Sequence, residues 1–147
     1  MKTLTDSIEI NAPPEKVYEW FTKFDENYLE WHPDHVKAIW LTEKKMEIGA
    51  KLYCEEYIHN ELHKIKFKCS KIEPNKIIEF KNLFPISLIC PKGSFMFESR
   101  GNKCLFTATL SFRMGNLLSK IAKEQVEAFK EHMKEEGENL KKIIEKP

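Results

Sequence analysis

The sequence predicts an α+β domain in which a curved antiparallel sheet of about six to seven strands is covered by one long C-terminal helix, with two short helices after the first strand. Three observations carry this reading. Apolar and polar residues alternate with period two through most of the middle of the chain. An amphipathic segment closes the sequence. A proline-led segment with helical periodicity follows the first alternating run.

In chain order, "SIEINAP" alternates as a half-buried strand does. "APPEKVYEWFTKF" follows, and Pro13 and Pro14 suit a helix start, where a missing N–H costs nothing. Val17, Trp20, Phe21 and Phe24 form its apolar stripe. "DENYLEWHPDHVK" reads as a second short helix with an irregular end, because Pro33 pushes His32 toward an extended conformation. "VKAIWLTE" is the next strand, and Gly49 marks a turn. "KLYCEEYI" is a strand joined by "NEL" to "HKIKFKCSKIE", which sets Ile65, Phe67 and Cys69 on one face and Lys64, Lys66 and Lys68 on the other. After the turn "PN" comes the strand "KIIEFKNLF". "GSFMFESR" and "KCLFTATLSFRM" flank Gly101-Asn102, a two-residue hairpin turn. The remainder, "GNLLSKIAKEQVEAFKEHMKEEGENLKKIIEK", reads as one helix of about 30 residues.

The 147 residues make one domain, 1–147, large enough for a real core. Lysine and arginine number 24 against 23 acidic residues, so nucleic acid is not an expected partner. No apolar run approaches the roughly 20 residues that span a bilayer. "MKTLTDSIEI" has no apolar signal region, and Cys54, Cys69, Cys90 and Cys104 fit neither a zinc knuckle nor a disulfide framework. Reduced core cysteines in a cytoplasmic protein are the expectation, with the oligomeric state, monomer or homodimer, left open. Aromatic residues at 12 % supply enough ring surface to line a cavity for a hydrophobic small molecule.

The candidate site emerges from the closing helix. With His132 at zero and about 100° per residue, Leu118, Ile121, Ala122, Val126, Phe129, Met133, Leu140, Ile143 and Ile144 fall in one arc. Gln125, His132 and Glu136 interrupt it, whereas Glu135 lies outside. His132 and Glu136, four apart, stack close enough to converge on one ion. A carboxylate on a buried face needs a partner. In "KLYCEEYI", Glu56 shares a face with Leu52, Cys54 and Ile58; if Tyr53 and Tyr57 face inward instead, Glu55 is selected.

The element order, with "INAPPEKVYEWF" near its start, resembles the Bet v 1-like or START-like helix-grip superfamily (the SRPBCC, polyketide cyclase and lipid-transfer group), along nearly the whole chain. The resemblance implies a sheet curled around the long helix with an apolar cavity between them. Within that superfamily, "WHPDH", the acidic "EEY" strand and the HxxxE pair resemble the zinc-dependent diacetylphloroglucinol and phloretin hydrolases. That resemblance implies a metal held by His35 (or His32), Glu56, His132 and Glu136. Zinc suits these donors, with iron or manganese as alternatives. His63, at the rim, and His32, beside the ligands, are the candidate acid–base or orienting groups; Asp34 fits the orienting role equally, and His59 shares His63's turn. Trp31, Cys54, Phe67, Phe97, Gln125 and Phe129 are expected to line the cavity. The implied activity is hydrolysis of a C–C bond or ester in a small hydrophobic carbonyl compound. A non-catalytic carrier and a metal-free cyclase are the alternatives.

Overall fold

The computed structural model describes residues 1–113 and 120–147, the side chains of 120–122 excepted. Leu118, Ile121, Ala122 and the expected helix start at 115–119 therefore lie outside the described residues. The elements are β1 (Lys2–Ile10), α1 (Pro14–Thr22), α2 (Phe24–Trp31), β2 (His35–Trp40), β3 (Lys51–Ile58), β4 (Glu61–Glu73), β5 (Ile77–Asn82), a 3-10 turn (Ile86–Leu88), β6 (Lys92–Arg100), β7 (Lys103–Phe112) and α3 (Lys120–Glu145). Among the described residues seven strands form one antiparallel sheet in the order β1-β7-β6-β5-β4-β3-β2.

The local causes are those of the sequence, with small shifts. Pro14 is the first residue of α1, and Val17, Tyr18 and Phe21 bury its inner stripe. His32 closes α2 in an extended conformation (φ −154°, ψ 139°), as the following proline requires. The chain turns there, His35 N–H donating to His32 O at 3.1 Å. β2 consequently begins at His35, one residue before the expected Val36, and it ends at Trp40 rather than Glu43. The difference matters, because His35 becomes the strand partner of Glu56. The β3–β4 connection is the pair His59-Asn60, both at positive φ, and not "NEL". β5 stops at Asn82 instead of Phe84, since Leu83 N–H bonds to Lys66 O and the chain then enters the 3-10 turn.

β3 buries Leu52, Cys54, Glu56 and Ile58 on one face. α3 lays Val126, Phe129, Met133, Leu140 and Ile144 against the sheet. Phe21 stands at the centre of the core, 4.8 Å from the Phe95 ring, 5.3 Å from Trp31 and 5.4 Å from Phe106. Such ring pairs add packing energy beyond the area they bury.

Gly93 on β6 has no room for a side chain. A Cβ there would lie 2.5 Å from Phe80 Cζ and 2.7 Å from the Thr109 carbonyl oxygen. The carbonyl belongs to the neighbouring strand and cannot move alone. Gly93→Ala is expected to destabilise the fold by about 3 kcal/mol, read as a lowered urea midpoint at unchanged slope.

Candidate metal centre and cavity

The turn at His32–His35 and the inward face of β3 bring three elements to one point. His35 is fully buried, and its ring stacks on Tyr28 with centroids 3.8 Å apart and planes within 8°. Its Nδ1 lies 2.7 Å from the Tyr28 carbonyl, an acceptor only, so Nδ1 carries the proton. Nε2 is thereby directed at the other groups. It lies 2.8 Å from Glu136 Oε2, 3.2 Å from Glu56 Oε2 and 3.1 Å from His132 Nε2. His132 Nε2 lies 3.2 Å from Glu136 Oε2 and 3.5 Å from Glu56 Oε2.

These five separations, 2.8–3.5 Å, bracket the roughly 3.3 Å edge of a tetrahedron whose metal–ligand bonds are about 2.0–2.1 Å. Orienting contacts surround the four groups. Tyr28 O–H donates to Glu56 Oε2 at 2.5 Å. Trp31 Nε1–H donates to the Glu136 carbonyl at 2.9 Å, and Asn139 Nδ2–H donates to the Trp31 carbonyl at 3.1 Å. The donor set, the committed Nδ1–H and this supporting shell all fit a divalent cation.

Electrostatics show how the cluster is satisfied without an ion. Burial alone would lower both imidazoles, but hydrogen bonds and charge from Glu136 and Glu56 raise His35 to about 9 and His132 to about 10. Burial alone would likewise raise the carboxyls, yet the two histidines hold Glu56 and Glu136 below the usual carboxylate range. Without metal the cluster is thus two imidazolium–carboxylate pairs with no net charge. A divalent ion replaces the two protons and leaves the charge unchanged, so either state is tolerated in the interior. Unfolded histidines titrate near 6.5. The metal-free stabilisation is therefore complete below pH 6.5 and is lost as pH rises through 9 to 10. In chelator, the melting temperature is expected to fall steadily from pH 6.5 to pH 10; a flat profile would remove the paired-charge description.

Not every expected site residue sits in this arrangement. Glu55 faces outward and accepts the Tyr53 hydroxyl proton at 2.6 Å, so Glu56 is the inward carboxylate. His32 stands behind His132, ring centroids 4.2 Å apart. Its Nδ1 accepts the Asp34 N–H at 2.9 Å, so Nε2 carries the proton toward Glu135, also at 2.9 Å. Both nitrogens are committed, and His32 is placed to position His132 rather than to touch a ligand. His63 lies opposite Glu56 on β4, edge-on to Phe129 at 5.5 Å, and outside the cavity wall. His59 occupies the exposed β3–β4 turn.

A cavity of about 100 Å³ opens beside the cluster, walled by Glu56, His132 and Glu136 together with Trp31, Cys54, Phe67 and Phe129. Two expected lining residues are elsewhere. Phe97 packs under α1, 5.5 Å from the rings of both Tyr18 and Phe21. Gln125 lies on the apolar arc of α3 but at the height of the β3–β4 turn, where its Nε2–H donates to Glu61 at 3.1 Å. Sequence reasoning missed Tyr28 and Asn82. The spacing of Phe24, Tyr28 and Trp31 along α2 was the available signal for Tyr28, since i, i+4 and i+7 share one helix face. The Cys54 thiol is pushed well up by burial and by the charges of Glu56 and Glu136, so it remains a neutral wall group.

The sequence matches the family described as polyketide cyclase/dehydrase and lipid transport over residues 1–145. A search of curated proteins by sequence finds no match. Among solved structures, the Zhui aromatase/cyclase from Streptomyces sp. R1128 is similar with a TM-score of 0.80 at 16 % identity, over 98 % of this chain and 93 % of that one. Major latex-like protein 151 from Panax ginseng gives 0.78 at 11 % identity, over 98 % and 97 %. Norcoclaurine synthase from Thalictrum flavum gives 0.71 at 10 % identity, over 97 % and 86 %. At these identities the likeness is one of fold, the helix-grip arrangement of a curved sheet and a long C-terminal helix.

Proposed function

The chain belongs to the polyketide cyclase/dehydrase and lipid transport family, and we propose that within it this protein is a metal-dependent hydrolase of a small hydrophobic carbonyl compound. The observation that supports this reading is the convergence of His35, Glu56, His132 and Glu136, the last three of them in the wall of an aromatic cavity. A divalent ion held by these four, zinc by donor type and iron or manganese by the same ligands, would supply a Lewis acid for a carbonyl and lower the pKa of water toward neutrality, provided that one carboxylate yields its place or the ion takes a fifth ligand.

The chain's own residues do the rest. The rings of Phe24, Phe67, Phe80 and Phe95 hold the apolar part of the substrate beside the cluster. The Tyr28 carbonyl fixes the tautomer of His35, and the Tyr28 hydroxyl fixes the rotation of Glu56. Burial and the Glu56 charge hold the Tyr28 pKa well above 10, so this hydroxyl steers Glu56 and keeps its own proton. His32 buttresses His132.

A second reading, a metal-free carrier of a hydrophobic ligand, draws on the charge balance of the protonated cluster, which satisfies its own buried groups. Small aryl esters and acylated phenols assayed with metal-loaded, chelator-stripped and metal-restored protein separate the two. Hydrolysis lost on stripping and restored by zinc, iron or manganese is the expected result. Ligand binding with no metal-dependent turnover on either substrate type would leave the carrier reading in its place.

A further inference from the structure

β5 sets Ile78, Phe80 and Asn82 on the inner face of the sheet. Where the alternation calls for a third apolar side chain, the chain has an amide. Asn82 is only 8 % exposed and forms part of the cavity wall. Its Nδ2–H donates to the Cys90 carbonyl at 2.8 Å, and this contact identifies the two ends of the amide, because a flip would set oxygen against oxygen. Oδ1 is buried and has no hydrogen-bond partner among the described residues. Phe67, Phe80 and Ile86, which wall the cavity with it, offer no side-chain donor, and the Cys90 thiol beside the Asn82 amide lies 3.9 Å from the Lys92 carbonyl. A buried acceptor left unpaired is costly and rare, so the position calls for a donor from outside the protein.

Asn82 is separate from the metal cluster. Glu56 pairs with His63 on β4 and Asn82 pairs with Phe67 on the same strand. That is about 13 Å along the strands and two strand spacings, about 10 Å, across them. The cavity therefore joins two polar points across an aromatic surface.

We infer that Asn82 Oδ1 is a ligand-selecting acceptor, and that the cavity's ligand presents a hydroxyl or amino N–H group to it. The inference rests on reading the cavity as the small-molecule site, but not on the metal. It follows that ligands with a donor at this end are bound and oriented, and that isosteres lacking the donor are rejected, because they leave Oδ1 unpaired.

The test uses the full chain, stripped with chelator, and four single-ring probes of similar size: phenol, aniline, toluene and anisole. Affinities come from titration, and the Asn82 side-chain amide resonances report binding at this position. Phenol and aniline are expected to bind about tenfold or more tighter than toluene and anisole and to move the Asn82 resonances. Asn82→Leu is expected to abolish that preference and to bind toluene better than wild type does. Toluene binding as tightly as phenol to the wild type would overturn the inference, as would a phenol preference that survives in Asn82→Leu. Should the variant fail to fold, the wild-type series decides alone. Failure of the hydrolase reading is a different result, absent metal uptake, and leaves these four affinities unchanged.

Discussion

His132→Ala is expected to lose metal affinity by at least about a hundredfold and, with it, metal-dependent hydrolysis. Outer-shell changes alone commonly cost 10–100-fold, and His132 supplies a ligand atom directly. His132 Nε2 is within 3.2 Å of Glu136 Oε2 and 3.5 Å of Glu56 Oε2, so its loss also leaves two buried carboxylates facing a single histidine. The metal-free variant is therefore expected to unfold about 3 kcal/mol more easily than metal-free wild type. Glu136→Gln gives a second variant that keeps the side-chain shape while removing the charge. Competition with a chromophoric chelator measures the affinity, and circular dichroism shows that the variants are folded. Wild-type metal affinity in both variants would place the ion elsewhere.

Trp31→Ala is the second change with a large expected effect, on stability and on the centre together. Trp31 is 2 % exposed and packs its ring against Trp20, Phe21, Phe24, Tyr28, His35 and Phe95. Truncating a buried tryptophan costs about 3–5 kcal/mol. At roughly 2–4 °C per kcal/mol for a chain of this size, the melting temperature should fall by about 10 °C. The same ring lies edge-on to His35 at 5.5 Å, and its Nε1–H holds the Glu136 carbonyl. Metal affinity should therefore drop as well, although Trp31 is not a ligand. Trp31→Phe keeps a ring in the core but removes the N–H and part of the indole, so it should cost about 2 kcal/mol, less than Trp31→Ala, and leave metal bound. Thermal unfolding of both variants, with and without metal, reads the two contributions separately.

The fold was legible because its signals are long. Thirteen residues of β4 alternate almost without interruption, and the arc of α3 spans several turns, so neither can be moved without exposing a whole apolar face. The same rule tied Glu56 to the face of Leu52, Cys54 and Ile58 but left open whether that face or the one with Glu55 turns inward, which the buried face of β3 decides. The spacing of His132 and Glu136 fixed their convergence within one helix. What was not legible depends on height and rotation rather than period. Gln125 has the right angle on α3 and meets Glu61 at the β3–β4 turn, because helical angle says nothing of where the strands end. Phe97 faces inward too, but α1 covers it before the cavity begins. His35 was the preferred ligand in "WHPDH" with His32 as the alternative, and the Tyr28 carbonyl and the Asp34 N–H assign their tautomers. The role of Tyr28 rests on contacts made across chain separations of 28 and 7 residues, which no local pattern records.

The most direct test of the account is the metal content of wild-type protein purified without chelator, with zinc, iron and manganese quantified per chain. About one equivalent of a divalent metal per chain, removed by chelation and regained on addition, is the predicted result. Protein that carries none and takes up none when each metal is supplied would contradict the metal centre and leave the cluster as two buried imidazolium–carboxylate pairs in a binding protein.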